Sequence, residues 1–213
     1  MAFATSDQGG RRAGPGRDTA VTPVKIVIAG GFGAGKTTFV GTVSEIVPLT
    51  TEAVMTAVAE RVDDVRGVPG KQTTTVAMDF GRVTLDSDLV LYLFGTPGQT
   101  RFWFMWDDLC RGAIGAIVLV DTRRLADSFS AVDYFEDFGL PYIIGVNCFD
   151  GKLVHEVSDI REALSVPPEV PVVTLDARDR EPVKAALIRL VQQSVSFRTR
   201  VGADSKPVSS GIG

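Results

Sequence analysis

The stretch "VKIVIAGGFGAGKTTFV", residues Val24 to Val40, decides how this chain is read. A β-branched apolar run stops at a cluster of glycines, and a lysine and two threonines follow. Gly30 to Thr37 fits the pattern G-x-x-x-x-G-K-[ST]. Glycines let the backbone turn through positive φ and aim its N–H groups at phosphate oxygens. A helix opening at Gly35 adds its positive N-terminal end. Lys36 places a cation against β- and γ-phosphates, and the Thr37 hydroxyl suits Mg²⁺. Gly31, Phe32, Gly33, Ala34, Gly35, Lys36, Thr37 and Thr38 are therefore assigned to a nucleotide. The alternative is a glycine-rich turn with no ligand. A strand before the loop and a helix after it favour the phosphate reading.

The bulk numbers suit one ordinary α/β domain. The chain has 213 residues, of which 45% are hydrophobic and 23% charged. A net charge of −4 lacks the electrostatic footprint of a nucleic-acid binder. Cys110 and Cys148 lie far apart without metal-ligand spacing, which reads as two reduced thiols in a cytoplasmic protein. No apolar run is long enough to span a bilayer, and neither end carries a secretory or lipidation signal. The expectation is a protein with no direct membrane anchor.

Apolar strand-like runs alternate with helical patterns between two polar ends. Residues 1–21 read as a disordered arm, 22–198 as the folded domain and 199–213 as a disordered tail. The strands are "VKIVIA", "TVAMDFGRVTL", "LVLYLFG", "AIGAIVLVD", "PYIIGVN" and "VPVVTLD". Near-continuous apolar strands separated by helices imply a doubly wound, mostly parallel sheet covered on both faces. "DSD" leaves no room for a crossover helix between the second and third strands, so they form an antiparallel pair. The expected fold is thus an α/β phosphate-loop domain with a six-stranded sheet and one antiparallel edge strand. In the segment 47–74, "TTEAVMTAVAERV" has the composition of a helix and "DDVRGVPGKQTTT" that of a loop.

Three further signals follow the phosphate loop in order. "LFGTPGQTRF" ends a strand: Gly98 can offer an N–H to a γ-phosphate, and Gln99 can orient a water for in-line attack. In "GVNCFDG", Asn147 and Asp150 form N-x-x-D. A carboxylate there accepts two hydrogen bonds from a base edge with two adjacent donors, which guanine has and adenine lacks. In "LDARDR", the backbone N–H of Ala177 can reach a guanine carbonyl. Each has a bland alternative as a turn; their succession behind the phosphate loop favours function.

With these motifs the chain resembles the Ras-like small GTPases over nearly all of residues 24–197. "TPGQ" without an acidic residue in front resembles the MglA-type polarity GTPases. "TTTVAMDFG", "LVLYLFGTPGQTRFWFMWDDL" and "VLVDTRRLADSF" resemble the actinobacterial conservon GTPases, which are encoded beside a roadblock-type protein and a sensor-kinase-like protein. The resemblance implies GTP or GDP and Mg²⁺ as ligands, GTP hydrolysis and signalling to those two partners; the hydrolysis is expected to be slow, because Gly95 weakens the metal shell and no arginine within the chain is evident for it. It implies that Thr75 is the switch threonine joining Mg²⁺ and γ-phosphate, so that Gln99, Lys36 and Thr75 serve catalysis and Thr37 and Thr75 hold the metal.

Three positions depart from the family pattern. Gly95 stands where the family has the aspartate of the Mg²⁺ shell, leaving Asp79 or Asp121 as substitutes. Phe32 stands where relatives keep a glycine that admits a stimulating arginine. Cys148 replaces a lysine whose stem covers the base. Gly95 and Phe32 favour a second reading, a non-hydrolysing guanine-nucleotide adaptor; Gln99 favours the enzyme. An ATP-using protein is the third reading, and N-x-x-D argues against it. Arg66, Lys71 and Arg101 are the charge donors within the chain that sequence offers. His155, the sole histidine, has no catalytic companions. The run Phe102–Trp106 is too apolar for all its side chains to face inward from one helix, so at least one tryptophan is expected to be exposed for a partner.

Overall fold

The computed structural model describes residues 21–55, 74–86 and 88–204. Among the described residues, seven strands and five α-helices follow one another: β1 Thr22–Gly30, α1 Lys36–Val43, β2 Leu49–Met55, β3 Thr74–Asp86, β4 Leu89–Gly95, α2 Trp106–Cys110, β5 Ala113–Val120, α3 Phe129–Phe138, β6 Tyr142–Asn147, α4 Val157–Ala163, β7 Val172–Leu175 and α5 Arg180–Asp204. Short 3₁₀ turns at Thr100–Met105, Thr122–Ser128 and Phe149–Gly151 lead into or out of the helices.

The sheet order is β2-β3-β4-β1-β5-β6-β7. β1, β4, β5, β6 and β7 run parallel, while β3 is antiparallel to both of its neighbours. The doubly wound, mostly parallel class is as expected, and all six expected strands are present. A seventh, β2, adds to them, so the antiparallel strand lies one place in from the edge. Thr50–Met55 had the composition of a helix. Pairing from Leu49 opposite Phe80 to Met55 opposite Thr74 makes it a strand instead. The exposed ladder of β3 needs partners for its backbone groups, and Thr50, Thr51 and Val54 tolerate the pleat.

Alternation along the central strands splits the core in two. Val27 and Ala29 of β1, with Ala116, Val118 and Val120 of β5, face the layer containing Trp106, Val132, Phe135 and Ile160. Ile26 and Ile28, with Ile117 and Leu119, face the layer containing Phe39, Val43, Val183 and Leu187. α2, α3 and α4 therefore cover one face and α1 and α5 the other, as a period-2 strand buried on both sides demands. α5 continues to Asp204, so residues 199–204, read as tail, are helical. Residues 1–20 of the expected arm, 205–213 of the expected tail, and Arg66 and Lys71 lie outside the described residues.

Candidate functional site

The loop between β1 and α1 sits at the C-terminal edge of the parallel strands, where ligands gather in open α/β sheets. Gly35 has φ 103°, and a Cβ there would lie 2.5 Å from Asn147 Nδ2. Only glycine satisfies both the left-handed backbone and that close approach. Asn147, 3% exposed, ties the site together: its amide donates to Ala34 O at 3.0 Å, and its carbonyl accepts from Ala177 N at 3.0 Å. The Ala177 N–H expected to reach a base carbonyl is thus donated to Asn147.

Lys36 is buried and donates to Gly30 O at 2.9 Å and Gly31 O at 2.7 Å. An ammonium has three donors, so one remains for an anion. Burial lowers its pKa to about 8, and the Asp79 carboxylate opposes that shift. Gly98 lies against the loop: a Cβ on it would stand 2.8 Å from Lys36 Nζ and 2.9 Å from Phe32 Cα. Gln99 is exposed beside it, and Phe32 is 64% exposed at the rim of the phosphate loop. Gly33, Thr37 and Thr38 are exposed, Gly35 is half-buried, and Gly31 and Ala34 are buried.

Thr37 Oγ1 donates to Asp79 Oδ2 at 2.7 Å. Asp79 is buried on β3 and pairs across the sheet with Gly95 of β4. A Cβ on Gly95 would lie 3.0 Å from both Cβ and Oδ2 of Asp79. Asp79 of the neighbouring strand thus puts a carboxylate in the space that a side chain at Gly95 would take. Asp121, the other candidate substitute, is committed elsewhere. Arg123 binds it through Nε at 2.9 Å and NH2 at 2.8 Å, and these hydrogen bonds hold its carboxyl below the usual range. The pairing of hydroxyl and carboxylate is a hard-oxygen donor set that fits Mg²⁺. Thr75 lies in β3 opposite Val54, four residues from Asp79 and so about 13 Å along the strand.

At the other end of the site, Asp150 is exposed with φ 58°, and Cys148 is buried, its thiol pushed up by burial. Arg178 NH1 donates to Asp150 Oδ1 at 3.1 Å, while its Nε and NH2 grip Asp176 at 2.9 and 2.7 Å. These bonds hold Asp176 at about 2. Arg123 also covers the Phe149 ring at 3.7 Å. Sequence reading did not single out Arg178 or Phe149; an arginine in "DAR" has no signal until folding brings that loop to Asp150.

The aromatic run is resolved side chain by side chain. Trp106 is 1% exposed and packs on Trp103, Tyr134 and Phe135. Trp103 is half-buried, and the exposed ring is Phe104, at 51%. Between the phosphate loop and α3 lies a cavity of about 680 Å³ whose walls include Phe32, Gln99, Trp103, Arg124 and Asp127. Arg124 is paired with Asp127 at 2.6 Å. His155 is exposed.

The fold is that of small GTPase-like G domains. The G domain of the T. maritima FeoB iron transporter superposes with a TM-score of 0.55 at 18% identity, covering 83% of this chain and 99% of that one. The Arl6 BBS3 small GTPase of Trypanosoma brucei, solved with the nucleotide analogue GppNp, gives 0.56 at 16% identity, with the same shares covered. The family described as "conserved hypothetical ATP binding protein" matches residues 28–197, and the chain belongs to it. "Uncharacterized protein MJ1339" of Methanocaldococcus jannaschii is 30% identical over 129 residues, which are 60% of this chain and 71% of that protein. Among the described residues, no helix is long and apolar enough to cross a membrane.

Proposed function

We propose that the chain is a guanine-nucleotide switch: it binds GTP and GDP on the loop Gly30–Thr37, hydrolyses GTP slowly and signals the difference to a partner protein. The observation that carries this reading is the contact of Gly98 with Lys36 and Phe32. A γ-phosphate bonded to the free donor of Lys36 needs the space against which Gly98 is pressed. Its arrival moves the segment Gly98–Gln99, and the 3₁₀ turn at Thr100–Met105 that follows moves with it. Hydrolysis lets the segment return. A ligand shifts such an equilibrium only by binding its two states differently, and this contact supplies the difference.

Lys36 binds the phosphates, and the backbone N–H groups of Gly31–Thr38 cradle them. Thr37 and Asp79 would hold Mg²⁺, which neutralises phosphate charge when bound. Thr75 joins the metal only if its end of β3 approaches. Gln99, exposed beside Gly98, orients the attacking water. Among the described residues, Arg124 lines the cavity by the phosphate loop but is paired with Asp127, so turnover near ~10⁻⁴ to 10⁻³ s⁻¹ is expected. Asp150 reads the base. The description of the family names ATP, but the N-x-x-D carboxylate offers acceptors to both guanine donors, and adenine cannot use them. The partner expected from family likeness is a roadblock-type protein, with a sensor-kinase-like module upstream, and the exposed Phe104 beside the moving segment is the anchor offered to it. A cytoplasmic location suits this reading, since GTP and GDP are abundant there.

The test is single-turnover release of phosphate from GTP in Mg²⁺ by wild type and Gln99→Leu. Slow turnover that Gln99→Leu slows further supports the enzyme. Tight binding with no turnover in either leaves the non-hydrolysing adaptor.

A further inference from the structure

We propose that Arg178 is a positioning residue for base selectivity: it bridges Asp176 and Asp150 and so holds the base-reading carboxylate in place. The inference rests on the guanine reading above and goes beyond it to a residue that the phosphate and base motifs do not name.

Folding brings two carboxylates to the rim of the base site. Asp150 comes from the turn after β6 and Asp176 from the residue after β7. The loops are fastened by Cys148 N donating to Leu175 O at 2.7 Å and by the Asn147–Ala177 bond. Two acids brought this close repel each other, and neither can donate a hydrogen bond to the other when ionised. Arg178 resolves the conflict. Its fork takes both oxygens of Asp176, and its remaining nitrogen reaches Asp150 Oδ1 at 3.1 Å. The Arg178 backbone N–H also donates to Asp176 Oδ1 at 2.9 Å, so the arginine is pinned at both ends.

Asp150 needs that support. Its carboxylate is 77% exposed, and among the described residues Arg178 is the partner the structure gives it. An exposed carboxylate free to rotate would lose rotamer freedom on meeting the base. Arg178 occupies one lone pair of Oδ1 and leaves Oδ2 whole. Two adjacent acceptors therefore stay available for the N1–H and 2-amino donors of guanine. A planar guanidinium gripped bidentately is a rigid post for this purpose; a lysine at 178 would be a mobile point charge.

The test compares GDP with inosine diphosphate, which lacks the 2-amino group, and with ADP, by competition against a fluorescent GDP analogue. Wild type, Arg178→Ala, Arg178→Lys and the double variant Asp176→Ser/Arg178→Ala are titrated, with circular dichroism checking the fold. Arg178 is 57% exposed, so its removal leaves the core intact. The expected result is a fall of about tenfold in the preference for GDP over inosine diphosphate in Arg178→Ala, the size of one charge-assisted hydrogen bond. Arg178→Lys recovers part of it. The double variant recovers most, because the second acid is gone and a serine hydroxyl can donate to Asp150. A merely structural role would weaken both nucleotides alike and leave the ratio unchanged; with wild type still preferring GDP to ADP, that result overturns this proposal alone. Wild type binding ADP as well as GDP overturns the guanine reading and this proposal with it.

Discussion

The Thr37 hydroxyl donates to the Asp79 carboxylate across 2.7 Å, from the first turn of α1 to the middle of β3. Asp79 faces Gly95 in the register of β3 and β4, so a carboxylate on the adjacent strand stands beside the glycine, and under the proposed function it serves Mg²⁺. Asp79→Ala should remove the Mg²⁺ dependence of nucleotide binding: affinity for GDP in Mg²⁺ falls at least ~10-fold, while affinity in EDTA barely changes. Gly95→Asp alone should also impair Mg²⁺ use, since its Cβ meets Asp79 at 3.0 Å. The double variant Asp79→Ala/Gly95→Asp should restore it. GDP titrations with and without Mg²⁺ on all four proteins read this out, and undiminished Mg²⁺ dependence in Asp79→Ala contradicts it.

Lys36 gives a pH signature. Its amine falls from an ordinary 10.5 to about 8 in the folded protein. Between those values the unfolded chain holds a proton that the folded one has released, so the folded state gains stability as pH rises from about 8 to 10.5. A diphosphate reverses the preference by stabilising the ammonium. GDP binding in EDTA at pH 9 should therefore take up close to one proton, and at pH 7 about none. Calorimetry in two buffers of different ionisation enthalpy measures the uptake. Equal uptake at both pH values would show that Lys36 keeps its proton without nucleotide.

The aromatic run separates stability from docking. Trp106→Ala empties a site walled by Trp103, Tyr134 and Phe135, and should cost ~3–5 kcal/mol in urea unfolding. Phe104→Ala, on the surface, should change stability by no more than about 0.5 kcal/mol. Titration with the roadblock-type protein proposed as partner then reads docking: Phe104→Ala should weaken binding by about 2 kcal/mol if that ring is an anchor, with the GTP-analogue and GDP forms differing in wild type. Equal binding by both nucleotide forms, untouched by Phe104→Ala, removes this segment as the output.

What the sequence made legible follows from how local each signal is. The phosphate loop, the six apolar strands and N-x-x-D are contiguous, and each carries its chemistry within a few residues. β2 was hidden because Glu52, Ala53 and Met55 suit a helix, and only the open edge of β3 makes them a strand. Asp79 was visible as one of two candidates. The choice against Asp121 depends on the grip of Arg123, two residues along, and on a strand register that spacing cannot supply. Trp106 and Phe104 could not be ranked from composition, because a 3₁₀ turn running into a short α-helix sets which ring points inward. Arg178 had no motif to mark it; its role exists only where two loops meet.

The most direct measurement of the central claim is competition for a fluorescent GDP analogue by GDP, GTP, ADP and ATP, on wild type and Asp150→Asn. A carboxylate that accepts both guanine donors should separate the two bases by ~10⁴ or more, as sites built on hydrogen bonds to a substrate do. Asp150→Asn should erase most of that gap and leave the phosphate contacts of Lys36 intact. Displacement by ATP at the same concentrations as GTP, with no effect of Asp150→Asn, would contradict the account and return the chain to ATP.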